Sequence, residues 1–432
     1  MTRRTRTVWA VERRYSGLIA AVAALGLAAT SSGCGGTGRG SGDVTLRLVA
    51  ADYGTGAANS SEKYWARLVK GFEASHPGIR IDVSVYAWTD IDREVAGMVK
   101  KGQAPDIAQI GSYADYAKAG KLYRADQLLT IPAQANFLPH LAEAGSVDRT
   151  QYGMPFVAST RLLFYNKKYF ARAGLDAPRT WNDIREDAAV LKQRGVTYPI
   201  ALPFGPEEAQ GETMMWLLSG GSGYVDDAGS YEIDSAENVR TFDWLRTNLV
   251  DKGLVGPVAP GKLDRGKAFA AFTRGEVGML NGHPTLMQEA EKKGIQVGMV
   301  PLPGAGGPSK GSMGVADWIM GFKQRGHRVE MGKFFNYLFT DKNVIDFADE
   351  YDMLPVTDSA SAAMESDPRY KPLRKFLVAL PNAEFYPYGK TSWARTSESI
   401  KENIGKAVEP GGSPARTLGR IARDATAAEG AE

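Results

Sequence analysis

The sequence predicts an α/β fold with room for two domains, and three observations support this prediction. Short segments in which apolar and polar residues alternate, as in half-buried strands, begin at Val44 and recur along the chain. They are separated by segments with apolar residues three and four positions apart, the spacing of one helical face. Without residues 1–33, which have the pattern of an export signal, 399 of the 432 residues remain. That length is enough for two sizeable cores.

The first predicted elements alternate between strand and helix. Strands are expected at residues 44–50, 79–86 and 104–110, and helices at residues 62–75 and 91–101. Strands that alternate with helices predict a mostly parallel sheet with helices on both faces. In such sheets, ligands bind beyond the carboxyl ends of the strands.

A second series of elements lies between residues 151 and 311. Thr180 is suited to cap a helix that begins at Trp181. Residues 236–253 have the apolar spacing of an amphipathic helix that is ended by glycine. A buried strand and two further helices are predicted at residues 314–322, 329–340 and 343–351.

The N-terminal segment has the pattern of an export signal. Residues 1–16 carry five arginines and one glutamate, and the twelve residues 18–29 are small or apolar. This apolar run is too short to cross a bilayer as a helix, which takes about 20 residues. Residues 31–34 resemble a lipoprotein processing site, so we expect a signal peptide at residues 1–33 and lipidation (palmitate) of Cys34. The alternative is an ordinary signal peptide with an incidental cysteine.

Further features of this region bear on export and on charge. Residues 34–43 are rich in glycine and predict a flexible linker. Arg13 and Arg14 resemble a twin-arginine signal, which leaves the Sec and twin-arginine routes both open. Residues 1–33 carry a charge of +4 and the whole chain +3, so the processed chain carries −1. A nearly neutral protein offers no electrostatic reason to bind nucleic acid.

Cysteine and histidine usage excludes two kinds of site. With Cys34 as the only cysteine, the chain cannot form an internal disulfide. The four histidines lack the spacing of metal ligands, so we expect neither a metal nor a cofactor.

Four stretches together resemble the extracellular solute-binding proteins of ABC sugar importers, the maltose-binding-protein group of family 1 lipoproteins. They occur in the order of that family, and the resemblance extends over residues 44–425. The stretches are APDIAQIGSYADYAKAGKLYRADQLL, YGMPFVASTRLLFYNKKYFARAGLDAPRTWNDI, AFTRGEVGMLNGHPTL, and SDPRYKP with the later TSWARTSESI.

The resemblance implies a two-lobe, type II periplasmic-binding-protein-like fold with a ligand cleft between lobes that hinge segments join. Lobe 1 would comprise residues 44–158 and 312–367, and lobe 2 residues 159–311 and 368–425, followed by a disordered tail at 426–432. The two lobes would close around the ligand, and a permease that works with a cytoplasmic ATPase would recognise the closed form. The protein would be a monomer on the extracellular face of the cell membrane, without enzymatic activity.

A sugar site needs aromatic rings for the faces of the sugar and polar groups for its edges. The resemblance places Trp393 where the family has a stacking aromatic residue, although this ring could also only pack between C-terminal helices. Asp317 and Trp318 stand together in an apolar strand, which indicates either a site or a buried polar network. The expected ligand-binding residues are Trp88, Asp90, Ser112, Tyr113, Asp115, Ser159, Arg161, Gln210, Glu212, His283, Asp317, Trp318, Trp393 and Arg395.

Departures from the family pattern bear on the cargo. Ser159 stands where maltose-binding proteins carry an acid, and two aromatic positions correspond to Pro284 and to the Gln210–Glu212 region. A smaller or differently linked sugar would therefore fit better than a maltodextrin.

Other functions remain possible from the residues alone. Arg161 and Arg395 could serve a glycerol phosphate ester, whereas Asp317, Glu212 and Asp115 could serve a polyamine, and a peptide is a further alternative. A glycoside hydrolase would need two carboxylates on either side of the scissile bond, and no motif of that kind is present. The adjacent acids Glu207 and Glu208 are expected to face solvent.

Overall fold

The computed structural model describes residues 43–54, 56–57, 59–306 and 311–430. The predicted signal peptide, the lipidation site Cys34 and nearly all of the predicted linker lie outside these residues.

The described chain contains both strands and helices, which alternate from β1 to β3. The strands are β1 Val44–Ala51, β2 Ile79–Tyr86, β3 Ile107–Ile110, β4 Ser146–Val147, β5 Thr150–Gln151, β6 Met154–Thr160, β7 Leu162–Asn166, β8 Tyr198–Ile200, β9 Val277–Gly282, β10 Val297–Val300, β11 Ser312–Gly321 and β12 Ala383–Glu384. The helices are α1 Ser61–Ser75, α2 Ile91–Lys100, α3 Ala114–Lys118, α4 Ala125–Leu128, α5 Ile131–Ala135, α6 Pro139–Ala144, α7 Lys167–Ala173, α8 Trp181–Gln193, α9 Ala209–Ser219, α10 Ala236–Leu245, α11 Arg265–Thr273, α12 Pro284–Lys292, α13 Arg328–Leu338, α14 Asp341–Glu350, α15 Asp358–Ser366, α16 Arg374–Ala379, α17 Trp393–Asn403, α18 Gly405–Val408 and α19 Pro414–Glu429.

The first sheet has the strand order β12-β11-β3-β1-β2, and β6 also pairs with β11. Strand β1 is parallel to both β2 and β3. Strand β11 runs antiparallel to β3 and to β6. Strand β11 is parallel to β12. The prediction of a mostly parallel sheet is therefore confirmed for the three predicted strands, and β11 is the strand that reverses direction against β3 and β6. β11 enters the sheet after the chain has left it for the second sheet, so no βαβ crossover sets its direction.

The second sheet has the order β10-β7-β9-β8 and is also mixed. Strand β7 is antiparallel to β10 and β9, whereas β8 is parallel to β9. Arg161 is the single residue between β6 of the first sheet and β7 of the second. This residue therefore stands at a crossing from one lobe to the other.

Helices pack on both sheets, and the buried apolar residues form two clusters, the first of which continues from the first sheet to Phe164 and Leu280 of the second. The first cluster includes Leu48, Trp65 and Ile110, all at most 1% exposed. The second includes Trp216 and Phe242, which are fully buried. The residue boundaries of the two lobes, as predicted above, remain a prediction. No helix in the described part of the chain is both long and apolar enough to cross a membrane.

Several predicted elements form where the residue pattern places them. Helix α1 buries Tyr64, Trp65 and Phe72 on one face, as the helical spacing predicts. Thr180 caps α8, because its hydroxyl accepts a hydrogen bond from the Asp183 amide at 3.0 Å. The Asp183 carboxylate in turn accepts from the Thr180 amide, which completes a capping box.

Two helices differ from the prediction. The α-helix predicted at 236–253 ends at Leu245 and continues as a π-helical turn over Arg246–Val250. Helix α19 continues to Glu429, although we predicted a disordered tail from residue 426. Ala425 and Ala428 bury their small side chains, and Glu429 pairs with Lys390. Alanine side chains are favourable in helices and small enough to pack closely, so the segment remains helical.

Candidate ligand-binding cleft

A solvent-open cavity of about 1580 Å3 lies between loops of the first sheet and residues around α9, α11 and α17. We call this cavity the cleft. It is lined by Trp88, Asp92, Gly111, Ser112, Ala114, Asp115, Glu207, Glu208, Gln210, Arg265, Val315, Tyr386, Tyr388, Lys390, Thr391, Trp393, Ala394, Ser397, Glu398 and Lys401.

Loops after two parallel strands form one wall of the cleft. Trp88 follows β2, and Ser112 follows β3. Both strands are parallel to β1, so their carboxyl ends lie at the same edge of the sheet. This is the edge at which α/β sheets bind ligands.

Tryptophan rings reach the cleft from both walls. Trp88 is 36% exposed, and its ring makes an edge contact with Tyr53 at a centroid distance of 5.3 Å. Trp393 begins α17, is 8% exposed and stacks on Tyr386 at 5.0 Å. Trp393 therefore both packs in the core and lines the cleft, whereas Trp88 has more ring surface free for a ligand.

Asp317 lies behind this wall in a hydrogen-bonded network. The Tyr53 hydroxyl donates to its carboxylate at 2.7 Å, and Gln109 donates to that hydroxyl at 3.0 Å. Burial, with a smaller contribution from the nearby Asp92, raises the pKa of Asp317 to about 7, although the Tyr53 hydrogen bond opposes both effects. Its neighbour Trp318 is fully buried between Tyr113 and Tyr388, each at 5.3 Å. The geometry thus matches the buried-network interpretation of this pair.

We expect Asp317→Asn to reduce the pH dependence of stability. A carboxyl whose folded pKa is about 7 and whose unfolded pKa is 3.8 binds more protons in the folded state. Its contribution therefore falls as the pH rises from about 4 to about 7. Between pH 5 and pH 8, the free energy of unfolding measured in urea should fall by about 1–3 kcal/mol more for the parent than for the variant.

The Tyr53→Phe variant provides a second test of this assignment. It removes the hydrogen bond that lowers the pKa of Asp317, so the free energy of unfolding should continue to fall up to a higher pH than in the parent. Equal pH slopes in the parent and in Asp317→Asn would contradict the assignment.

A network of ion pairs lies on the opposite wall. Arg161 donates to Glu208 at 2.9 Å, and the Nε atom of Arg265 lies 2.5 Å from the other oxygen of Glu208. Arg265 also pairs with Glu207 at 3.1 Å. Burial alone would raise the pKa of Glu208, but the two guanidinium groups outweigh it and hold this pKa below its ordinary value. The prediction that both acids face solvent is therefore wrong for Glu208, which is only 18% exposed.

His283 contacts the same network from a neighbouring loop. Its ring packs against Phe269 at 5.0 Å, and its Nε2 atom lies 3.3 Å from Arg265. Burial, together with the positive charges of Arg161 and Arg265, holds its pKa well below the ordinary value. The ring is therefore neutral at physiological pH.

A smaller cavity, with room for about one water molecule, adjoins the cleft and shares Glu208 and Arg265 with it. We call this cavity the inner pocket. It is lined by Arg161, Pro203, Glu208, Gly211, Glu212, Met215, Arg265, Phe269 and Asn281.

Glu212 is the most deeply buried acid of the inner pocket, at 7% exposure. Its Oε1 atom accepts hydrogen bonds from the Trp216 indole at 2.8 Å and from the Asn281 amide at 2.9 Å. Burial raises its pKa to about 7 despite these two hydrogen bonds. Burial therefore favours the neutral form of this carboxyl.

The structure brings together half of the predicted site residues. Trp88, Ser112, Asp115, Gln210 and Trp393 line the cleft, and Arg161 and Glu212 line the inner pocket.

The other predicted residues lie outside both linings. Tyr113 and Trp318 belong to the core, and Ser159 is buried on β6. Asp90 pairs with Arg93 at the start of α2, and Arg395 is exposed on α17. Asp317 and His283 are held by Tyr53 and Arg265 as described above. These seven residues support the walls or lie apart from them, and their contact with ligand remains a prediction.

Sequence reasoning missed several lining residues. Glu208 and Arg265 are far apart in sequence and give no local signal that they pair. Tyr386 and Lys390 precede the stretch TSWARTSESI, which the family resemblance had already placed near the ligand through Trp393. Asn281 lies near the end of β9, within the quoted stretch AFTRGEVGMLNGHPTL, but nothing local in the sequence marks it as a lining residue.

Residues 57–345 match the family model of bacterial extracellular solute-binding proteins. The chain belongs to this family. The family is one of solute-binding proteins, not of enzymes.

Individual relatives resemble this solute-binding protein over most of its length. A binding protein of Brucella abortus is 25% identical over 386 residues, which cover 87% of this chain and 89% of that protein. The multiple sugar-binding protein of Streptococcus mutans is 24% identical over 309 residues, 66% of this chain and 69% of that protein.

A solved structure shows the same two-lobe fold. The cyclic alpha-maltosyl-1,6-maltose binding protein from Arthrobacter globiformis superimposes with a TM-score of 0.77 at 19% identity, over 90% of this chain and 100% of that one.

Proposed function

We propose that this solute-binding protein is the lipid-anchored, extracellular receptor of an ABC importer and that it captures a carbohydrate in the cleft. The observation that carries the proposal is that Trp88 and Trp393 line one cavity from opposite walls, with polar side chains between them. Aromatic faces suit the C–H faces of sugar rings, and polar side chains suit their hydroxyl edges. A ligand held by both walls would favour the closed lobes that a permease recognises.

The pairing of charged groups supports a neutral cargo over a charged one. Arg161 is engaged by Glu208, and Lys401 pairs with Glu398 at 2.8 Å. Lys390 pairs with Glu429. Arg395, a candidate partner for a phosphate ester, lies outside the cleft lining. A phosphate or polyamine would therefore have to compete with ion pairs that are already formed.

A thermal-shift screen of the purified protein tests the proposal. The panel contains maltose, cellobiose and diacetylchitobiose, with sn-glycerol 3-phosphate, putrescine and a tripeptide as non-sugar probes. A ligand at about 100 times its Kd adds about 2.7 kcal/mol, which raises the Tm by a few degrees. A saccharide hit supports carbohydrate capture. A response to the phosphate ester, the polyamine or the peptide alone would keep the transport role and change the cargo.

Cys34→Ala tests the lipid anchor. Without the thiol that carries the lipid, the protein should lose palmitate labelling and should appear in the medium or stay unprocessed. Cell fractionation with radiolabelled palmitate measures both effects, and Ser31→Ala serves as a control that keeps the cysteine. A Cys34→Ala protein that remained processed and membrane-bound would refute the anchor.

A further inference from the structure

Three basic turns meet at the edge of the first sheet where β3 begins. They follow α2, α3 and β11, and β11 ends beside the start of β3 because the two strands are antiparallel. The Lys323 amide donates to the Lys121 carbonyl at 2.8 Å, and the Ala104 amide donates to the Gln324 side chain at 3.0 Å. We call this surface the basic edge and define it by five exposed side chains, Lys100, Lys101, Lys121, Lys323 and Arg328.

The basic edge carries positive charge that the protein does not neutralise. Within the part of the chain that the structure describes, none of its five cations lies in an ion pair. The neighbouring Asp106 is already held by Arg325 at 3.1 Å. Asp43 and Glu330 add two negative charges nearby, so a surplus of positive charge remains. Several unpaired cations on one surface attract an anionic partner.

A groove beside the basic edge adds apolar side chains to this surface. Arg328 and Lys333 line the groove from α13, together with Val329, which is 58% exposed. Ile131 is 81% exposed and follows Thr130, which lines the groove from the other side. Aliphatic side chains beside cations suit the boundary between the headgroups and the acyl chains of a bilayer. This composition favours a lipid surface over a soluble acidic partner.

The chain that comes from the predicted lipid anchor joins the fold at the same edge. Val44 begins β1, and β1 is parallel to β3, so both strands begin at this edge. The ten residues 34–43 can span at most about 35 Å when fully extended. A lipid on Cys34 would therefore keep the basic edge within about that distance of the bilayer. The cleft residues Trp88 and Ser112 follow the carboxyl ends of their strands, which lie at the opposite edge.

From this arrangement we propose that the basic edge contacts anionic lipid headgroups of the membrane that holds the anchor, so that the cleft faces the surrounding medium. The inference rests on the proposed lipid anchor and adds an orientation to it. The anchor and the basic edge reinforce each other, because the first attachment makes the second contact intramolecular. The contact occupies the edge opposite the cleft, so it leaves the cleft open to solute.

Sedimentation with vesicles tests the basic edge separately from the anchor. The processed chain, residues 34–432, carries Cys34→Ala so that no lipid is attached, and circular dichroism checks its fold. It should bind phosphatidylcholine vesicles that contain one-third phosphatidylglycerol, and it should not bind vesicles of phosphatidylcholine alone. Added salt should weaken the binding, because the Debye length falls from about 8 Å at 0.15 M to about 3 Å at 1 M.

A triple variant removes charge from the basic edge without changing the core. Lys100→Gln, Lys101→Gln and Lys121→Gln are combined, and all three side chains are exposed. Each lysine near an anionic membrane contributes about fivefold to the binding constant. The triple variant should therefore bind the anionic vesicles about 100-fold more weakly than the parent.

A matched control removes the same charge from another part of the surface. Lys167→Gln, Lys168→Gln and Lys252→Gln replace three lysines that are also exposed but lie outside the basic edge. This variant should bind the vesicles like the parent. Equal binding to both kinds of vesicle, or an equal loss in the two triple variants, would overturn the proposal. Binding to polyglutamate without binding to vesicles would assign the surface to an acidic protein instead.

The outcome is separable from that of the lipid anchor. If the native protein incorporates palmitate but the chain without lipid does not bind anionic vesicles, the basic-edge proposal fails and the anchor stands. If the chain without lipid binds anionic vesicles but the native protein incorporates no palmitate, the lipid-binding surface stands and the anchor fails.

Discussion

Glu208→Gln should lower the free energy of unfolding by about 2–4 kcal/mol. The substitution leaves the guanidinium groups of Arg161 and Arg265 without the carboxylate that lies between them. Removing one partner of a buried ion pair costs about 3–5 kcal/mol, and the 18% exposure of Glu208 reduces this value. Urea unfolding at pH 7 measures the change.

The adjacent Glu207 provides a matched control. It pairs with the same Arg265, but its side chain is 38% exposed, so Glu207→Gln should cost less than about 1 kcal/mol. The pKa of Glu208 is lowered in the folded state, so its contribution is present above the unfolded pKa and is lost as the pH falls. The parent and Glu208→Gln should therefore converge in stability in acid. Equal effects of the two glutamine variants at pH 7 would refute the special role of Glu208.

Trp88→Ala should weaken saccharide binding by about 1–3 kcal/mol while leaving the fold intact. The ring lines the cleft and is 36% exposed, so its removal takes a stacking surface from the ligand and less packing from the core than removal of the 8% exposed Trp393 would. Isothermal titration with the saccharide that gives the largest Tm increase measures the affinity, and circular dichroism checks the fold.

Ile131→Ala is a suitable control for this experiment. Ile131 is 81% exposed and is not part of the cleft lining, so the variant should bind like the parent. Trp393→Ala is less informative, because Trp393 is 8% exposed and stacks on Tyr386. Loss of affinity there would be mixed with a loss of stability of about 3–5 kcal/mol. If Trp88→Ala bound the saccharide as tightly as the parent, the ring would have no part in the site.

Much of the fold could be predicted because its signals are local. The apolar face of α1, the Thr180 cap of α8 and the alternation in β2 each depend on neighbours within a few residues. Strand direction is different, because it depends on where the chain re-enters a sheet. For that reason the antiparallel placement of β11 was not predicted.

The site was only partly predictable for a related reason. Trp88 and Ser112 follow parallel strands, so simple topology places them at one edge. Trp318 was also predicted to contact the ligand, but it lies in the core. Side chains on a strand alternate between the two faces of the sheet, and Tyr113 and Tyr388 cover the face on which Trp318 lies.

The sequence by itself determined the α/β class, the export-signal pattern, the family and two of the aromatic groups of the cleft. These properties depend on periodicity, composition and short motifs, which are local in the chain. Only the tertiary structure decided that Glu208 is held by Arg161 and Arg265, and that the Asn281 amide donates to Glu212. Such pairings join residues 47 or more positions apart, and burial sets their energies. Neither property is visible until the chain has folded.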